Sequence, residues 1–272
     1  MNVRRCGAVA GVEWAKLVAH VKTPIVLAVC TAGPFVFALA IRIQSSLPED
    51  TLFGRAVKES GFAIPLVVLG FASLWLLPAL TSLVGGDAFA AEDRYGTWKI
   101  VLTRSCSRGE VFAGKVATAL AFSVVAVAAL AASSAAAGAL VIGRQPLIDL
   151  SGALLPSSQA LTRVALAWAS VVPPTLAFTA LAVLLSVATR SSAAGIALPV
   201  VASLVMQFYA FVDGPEVIRW LLVTSAFGAW HGLLSQPPYY GPLLRGTAVS
   251  VCYVVVCLAI AYRLLRDRDI VG

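Results

Sequence analysis

Six apolar runs constrain this chain more than anything else it contains. They cover residues 23–43, 62–84, 112–142, 164–188, 193–212 and 247–264. A run of 18 or more apolar residues is long enough for a helix to cross a hydrocarbon core of about 30 Å at 1.5 Å per residue. Every backbone amide inside a bilayer must be paired within the protein, so such runs read as helices, and the period-two alternation of a membrane barrel is absent. The 272 residues are 60% hydrophobic and only 12% charged, whereas a soluble domain carries about 25% charged residues. The expected fold is all-α: a single membrane domain over residues 1–272 with six transmembrane helices.

The basic residues set the orientation. With the N-terminus inside, 13 of the 20 Lys and Arg fall on the inner side, and the acidic residues divide seven to six. The net charge of +7 is therefore a topology signal that places both termini in the cytoplasm. It does not indicate nucleic acid, because no basic helix or aromatic-interleaved basic patch accompanies it. A seventh span over residues 217–234 would move Arg263, Arg266 and Arg268 outside. That stretch also carries Arg219, His231, Gly228 and Gly232 and is rich in interfacial aromatics. Residues 213–246 are read instead as re-entrant or interfacial helices on the outer face.

Other segments have their own character. In residues 1–22, Trp14, Leu17, Val18 and Val21 form an apolar stripe at spacings of three and four, as in an interfacial helix with Lys16 and Lys22 reaching head groups. No apolar core of signal-peptide length occurs there. Residues 129–140 are nearly all small, which suits close helix–helix approach. Pro34, Pro65, Pro78, Pro173, Pro174 and Pro199 lie within spans, where each removes a backbone donor and should kink its helix. The five cysteines, Cys6, Cys30, Cys106, Cys252 and Cys257, show no CxxC spacing, so neither structural disulfides nor zinc are expected.

Residues 91–115 carry eight of the 33 charges, between two apolar runs. One reading is an ordinary inner loop that only sets topology. A second is a nucleotide site, since Gly109 to Lys115 matches GxxxxGK; Val116, however, stands where a magnesium-ligating hydroxyl belongs, and no strand precedes the match. A third is a docking helix, because Trp98, Val101 and Leu102 share a face at i, i+3, i+4.

Glu92, Gly96-Thr97, Leu102, Ser107-Arg108 and Gly114-Lys115 together resemble the coupling-helix segment of the type-two ABC exporter permeases. The resemblance extends to the amphipathic N-terminus, the six spans, the short turn at 190–195, the outer re-entrant region and the ending at 262–272. Ser105 departs from it, standing where the family commonly has proline. The resemblance implies a permease subunit in a bacterial inner membrane, with residues 85–111 as the cytoplasmic coupling region. Glu92, Asp93, Arg94, Gly96, Thr97, Trp98, Arg104 and Arg108 would contact an ATPase subunit. Two ATPase subunits, carrying ATP and Mg, would serve two permeases, identical or homologous; this chain would hold no cofactor, metal or catalytic residue. In relatives the substrate route runs between the permeases, partly along the first, second and fifth spans. Phe35, Phe37, Phe71, Trp75, Trp168 and Phe208 would suit a hydrophobic or amphipathic cargo such as a drug, lipid or natural product.

Rival classes lack their signatures. An intramembrane enzyme needs clustered polar groups at depth, yet His20 and His231 lie near opposite faces. A proton-driven secondary transporter normally carries an acid within a span, and none of the six has one. A passive channel or a non-transporting structural subunit gives no role to a docking helix.

Overall fold

The computed structural model describes residues 3–44, 53–98, 107–209, 212 and 214–267. Helix α1 (Val3–Ala19) leads into α2 (Lys22–Ile43). After a 3-10 turn at Gly54–Lys58 come α3 (Ala63–Gly85) and the short α4 (Ala90–Arg94). Helix α5 (Arg108–Ile142) is followed by α6 (Ser157–Ser170), α7 (Val172–Thr189) and α8 (Ser192–Phe208). Two short helices, α9 (Glu216–Leu221) and α10 (Val223–Ala226), and a 3-10 turn at Ala229–Leu234 precede the last helix, α11 (Gly241–Arg266). The all-α expectation needs one correction. Strands β1 (Leu147–Ile148) and β2 (Leu154–Leu155) pair antiparallel, closed by Asp149, whose Oδ1 accepts from Ser151 N at 2.9 Å and Ala153 N at 2.8 Å.

Among the described residues, five helical stretches are long and apolar enough to cross a membrane: α2, α3, α5, α6 with α7 taken together, and α11. Six were expected. The remaining run forms α8, apolar but only 17 residues long, or about 26 Å at the helical rise. Residues 217–234, the rejected seventh span, fall on three short helical pieces that begin at Glu216.

Prolines act according to where they fall in a helix. Pro65, expected to kink its span, sits in the first turn of α3, where no backbone donor is required. Pro173 and Pro174 likewise start α7 after the break at Val171. Pro78 lies inside α3 and has no N–H for the carbonyl of Leu74. The helix answers with a π turn at Ala72–Leu76, and Gln207 Nε2 of α8 donates to Leu74 O at 2.5 Å. A carbonyl with no partner in lipid costs several kcal/mol, so this side chain does the work of the missing backbone donor.

Small residues bring the helices together. A Cβ on Gly86 would lie 2.4 Å from the carbonyl carbon of Gly195, and one on Gly138 would lie 2.1 Å from Gly61 O. The small-residue run of α5 packs as expected: Ser133, Ser134, Ala137 and Gly138 are buried, and Ser133 Oγ donates to Cys30 O at 2.6 Å. Ser123 and Thr179 hydrogen-bond across α5 and α7 at 2.7 Å. Cys6, Cys30, Cys252 and Cys257 are free thiols. One large apolar core runs along the bundle, and a smaller one gathers Phe89, Trp98, Phe112, Val183 and Leu265 at the end where α3 stops and α5 begins.

Gln207→Leu keeps the side-chain volume but removes the donor to Leu74. We expect a loss of about 0.6–1.7 kcal/mol, the range for interhelical hydrogen bonds in membrane proteins, read as a lowered thermal midpoint in detergent. A midpoint equal to the parent's would show that the π turn satisfies itself.

Candidate functional site

The charged segment is anchored before it becomes charged. Where α3 gives way to α4, the amides of Phe89 and Ala90 have no helical acceptor, and both donate to Ser186 Oγ of α7, at 3.2 and 2.9 Å. Phe89 is wholly buried, stacked on Trp98 with ring centroids 6.3 Å apart and tilted against Phe112 at 5.5 Å. Five residues of helix and a turn follow. Gly96 takes φ +65° there, a conformation that glycine adopts without a Cβ penalty.

Four charges from three elements meet beneath this turn. Lys115 Nζ of α5 lies 2.8 Å from Glu92 Oε1 of α4 and 2.8 Å from Glu13 Oε2 of α1. Lys16 Nζ lies 2.8 Å from Glu13 Oε1 and 3.5 Å from Glu92 Oε1. Thr97 Oγ1 donates to Glu92 Oε2, and the Lys115 ammonium sits 5.9 Å from the Phe89 ring centroid. Close backbone approach makes the arrangement possible: Gly114 faces Val9, where a Cβ would lie 2.5 Å from Val9 Cγ1, and Thr118 Oγ1 reaches Ala10 O at 3.3 Å. A second pair, Lys22 Nζ to Asp87 Oδ2 at 2.8 Å, ties the start of α2 to the end of α3.

These contacts correct the expectation for the N-terminus. Lys16 and Lys22 bond carboxylates of the protein rather than head groups alone. The apolar stripe is also divided, because Leu17 packs against the core while Trp14, Val18 and Val21 point away from it.

Burial pushes the Glu92 carboxyl up, but the Lys115 ammonium, the Thr97 hydroxyl and Lys16 outweigh it and hold the group below its ordinary value. Asp87 is lowered in the same way, burial being outweighed by Lys22 with a contribution from His20. Lys16 is raised; burial opposes, and Glu13 and Glu92 prevail.

The expected contact residues divide by exposure. Glu92 and Trp98 are buried, at 7% and 6%, and the Trp98 indole donates to Asp93 Oδ1 at 3.0 Å. Arg94 and Gly96 are exposed, with Arg94 bonded to the Tyr95 hydroxyl at 3.1 Å and 5.0 Å from its ring centroid. Arg108 donates to Arg266 O at 2.8 Å and to Leu265 O at 3.4 Å, satisfying carbonyls that the end of α11 leaves open. Arg104 lies outside the described residues, with Lys99, Val101, Leu102 and Ser105. Of the aromatics offered for a cargo, Trp168 is buried at 3%, while Phe71, Trp75 and Phe208 are more than half exposed.

The GxxxxGK match is no phosphate cradle. Residues 109–115 are the first turns of α5, whose start is a capping box: Ser107 Oγ accepts from Glu110 N at 3.2 Å and Glu110 Oε2 from Ser107 N at 3.0 Å. Lys115, the would-be phosphate ligand, is buried between two carboxylates. Sequence reasoning missed this role, and it missed Glu13. The legible signal was a lysine one turn inside an apolar run, which has to find an anion.

Breaking one side of a buried pair leaves an uncompensated charge, at about 3–5 kcal/mol, whereas removing both sides is often neutral. Lys115→Met should therefore destabilise the protein strongly, and Lys115→Met with Glu92→Leu should recover most of the loss. Thermal midpoints of both in detergent check this. The pH dependence follows from the lowered Glu92. Its contribution is fully present above the ordinary glutamate value of about 4.3 and is lost as pH falls through the lower folded value. Protease protection of α1 should thus be level from neutral pH down to about 5 and fall only in stronger acid; release between pH 6 and 7 would contradict it.

A search of curated proteins gives no match. A family model described as a protein of unknown function, DUF2705, matches residues 35–271, from within α2 to the C-terminal end. The match covers most of the sequence, and the chain belongs to the DUF2705 family.

Proposed function

We propose that this chain is the membrane-spanning permease subunit of an ATP-driven exporter. It would move a hydrophobic or amphipathic substrate across a bacterial inner membrane on energy from a separate ATPase subunit. The observation that carries the reading is the exposed edge at Arg94, Tyr95 and Gly96, set on a rigid, buried foundation at one end of the bundle. Beneath that edge, Glu92 is pinned to α5 and α1, and the amides of Phe89 and Ala90 to α7. A push on the edge is therefore delivered to three helices at once. Helix α1 and the last turn of α11 lie at this same end of the bundle, since Glu13 of α1 reaches Lys115 and Arg266 of α11 reaches Arg108. That supports the positive-inside reading, with two cytoplasmic termini and ATPase subunits docked on this face. The role of Lys115 as a structural counter-ion supports assigning ATP and Mg to the partner, and a second permease would complete the transport path.

The test is to purify the tagged chain with its ATPase partner. A complex is expected that hydrolyses ATP with magnesium, with the chain alone showing no activity. Arg94→Glu should lower complex yield at least several-fold while leaving insertion and the thermal midpoint unchanged. Magnesium-dependent hydrolysis by the isolated chain, or wild-type assembly and efflux by Arg94→Glu with Tyr95→Ala, would sink the proposal. For orientation, a cysteine at the exposed Gln236, in a cysteine-free background, should react with an impermeant thiol reagent from outside intact cells. Reaction only after the membrane is opened would reverse the assignment.

A further inference from the structure

Between α1 and the ends of α3 and α5 lies a half-open cavity of about 690 Å³, within the range of sites that hold one small molecule. Its walls are apolar along Val12, Leu17, Leu83, Val84, Val111 and Ala119. The polar lining is exactly balanced in sign, with Lys16, Lys22 and Lys115 against Glu13, Asp87 and Glu92, and His20 beside them. A neutral lining of this kind favours neither a simple anion nor a simple cation. It favours a head group that itself carries both signs.

The six charges are not equally available. Lys115, Glu92 and Glu13 have side chains only 3%, 9% and 15% exposed, whereas Lys16, Lys22 and Asp87, though Lys22 and Asp87 pair with each other and Lys16 with Glu13 at 2.8 Å, remain 51%, 43% and 22% exposed. Each ammonium has three N–H donors and each carboxylate several lone pairs, so the exposed edges of Lys16, Lys22 and Asp87 offer donors and an acceptor beyond those their pairs use. On the far side of α1, Trp14 and Val18 are exposed, as is Val21 just past its end, as side chains are on a helix lying in a membrane interface. The cavity accordingly lies where a lipid of the adjoining leaflet has its head-group boundary.

We propose that this cavity binds one zwitterionic phospholipid with a phosphoethanolamine head, one acyl chain lying along the apolar walls. The phosphate accepts from Lys16 and Lys22, and the primary ammonium donates to Asp87. That last contact discriminates. A carboxylate in hydrogen-bonding position rewards an ammonium that carries N–H, which a quaternary choline lacks, and it repels a head group that is only anionic. The lipid would also lie against the inner side of α1, holding the helix down alongside the ion pairs. This inference rests on the cavity and on membrane residence, and it stands whether or not the chain works with an ATPase.

The experiment uses the whole purified chain in nanodiscs of equal parts phosphatidylethanolamine, phosphatidylcholine and phosphatidylglycerol with identical acyl chains. The lipid retained on gentle release is counted by native mass spectrometry. One phosphatidylethanolamine should be retained, preferred by about tenfold over either competitor, the worth of one charge-assisted hydrogen bond. Asp87→Asn should bring the preference over phosphatidylcholine to within about twofold while phosphatidylcholine retention holds. Ala91→Trp, which fills the cavity from its α4 wall, should abolish retention of all three; should that variant not fold, the Asp87→Asn selectivity decides alone. No retained lipid, equal retention of the three classes, a preference for phosphatidylglycerol, or unchanged selectivity in Asp87→Asn would each overturn the proposal.

Discussion

The arrangement of one end of this bundle depends on the burial of a single ammonium. Lys115 stands two turns into a helix that is otherwise apolar for its whole membrane length, and its side chain is 3% exposed. An ion of that kind in a low-dielectric setting costs several kcal/mol unless its geometry is fully satisfied. Two carboxylates satisfy it, and neither is local in sequence: Glu92 is 23 residues away and Glu13 is 102. Hence α4 must fold back over the start of α5, and α1 must come down beside it. Gly114 and Thr118 then appear as requirements of the same contact. Without a glycine facing Val9 the helices could not approach closely enough for Glu13 to reach the ammonium.

Elsewhere the bundle shows the same economy with backbone groups. Pro78 breaks the hydrogen-bond ladder of α3, and a π turn with a side chain from α8 repairs it. Ser186 accepts from two amides left over where α3 ends, and Arg108 takes the carbonyls left over where α11 ends. Each repair links helices distant in sequence. The places where a helix is interrupted are therefore also the places where the bundle is cross-tied, because lipid offers no water to do either job.

The helices were legible in the sequence because apolar length is a one-dimensional property. The close packing of residues 129–140 was legible for the same reason, since a run of small side chains needs no partner to be recognised. The site was less so. Gly96 was singled out through the resemblance, and its positive φ marks a turn there. Glu92 was read, from the resemblance, as a contact for an ATPase subunit; within this chain it is buried because α1, nearly 80 residues earlier, lies over it. Pairing across such a separation leaves no periodic trace. The small β1–β2 hairpin was too short to show any alternation.

The concentration of charge between residues 91 and 115 is therefore not one device but several. Glu92 and Lys115 form an internal strut. Glu110 caps the start of α5, Arg108 closes the end of α11, and Asp93 holds the Trp98 indole. Rules that count basic residues to orient a chain treat all of these alike, yet each has a partner inside the fold. Among the described residues of the segment, Arg94 is the charge that remains exposed, and its neighbour Tyr95 is 66% exposed and lies under its guanidinium. One donor of the guanidinium is used on the Tyr95 hydroxyl, and a planar fork of five N–H groups has others to offer. That leaves a stiff, oriented donor at the outermost point of the turn, where a partner's carboxylate could be met at little entropic cost. The inward charges give the turn its rigidity, and the outward one gives it something to recognise.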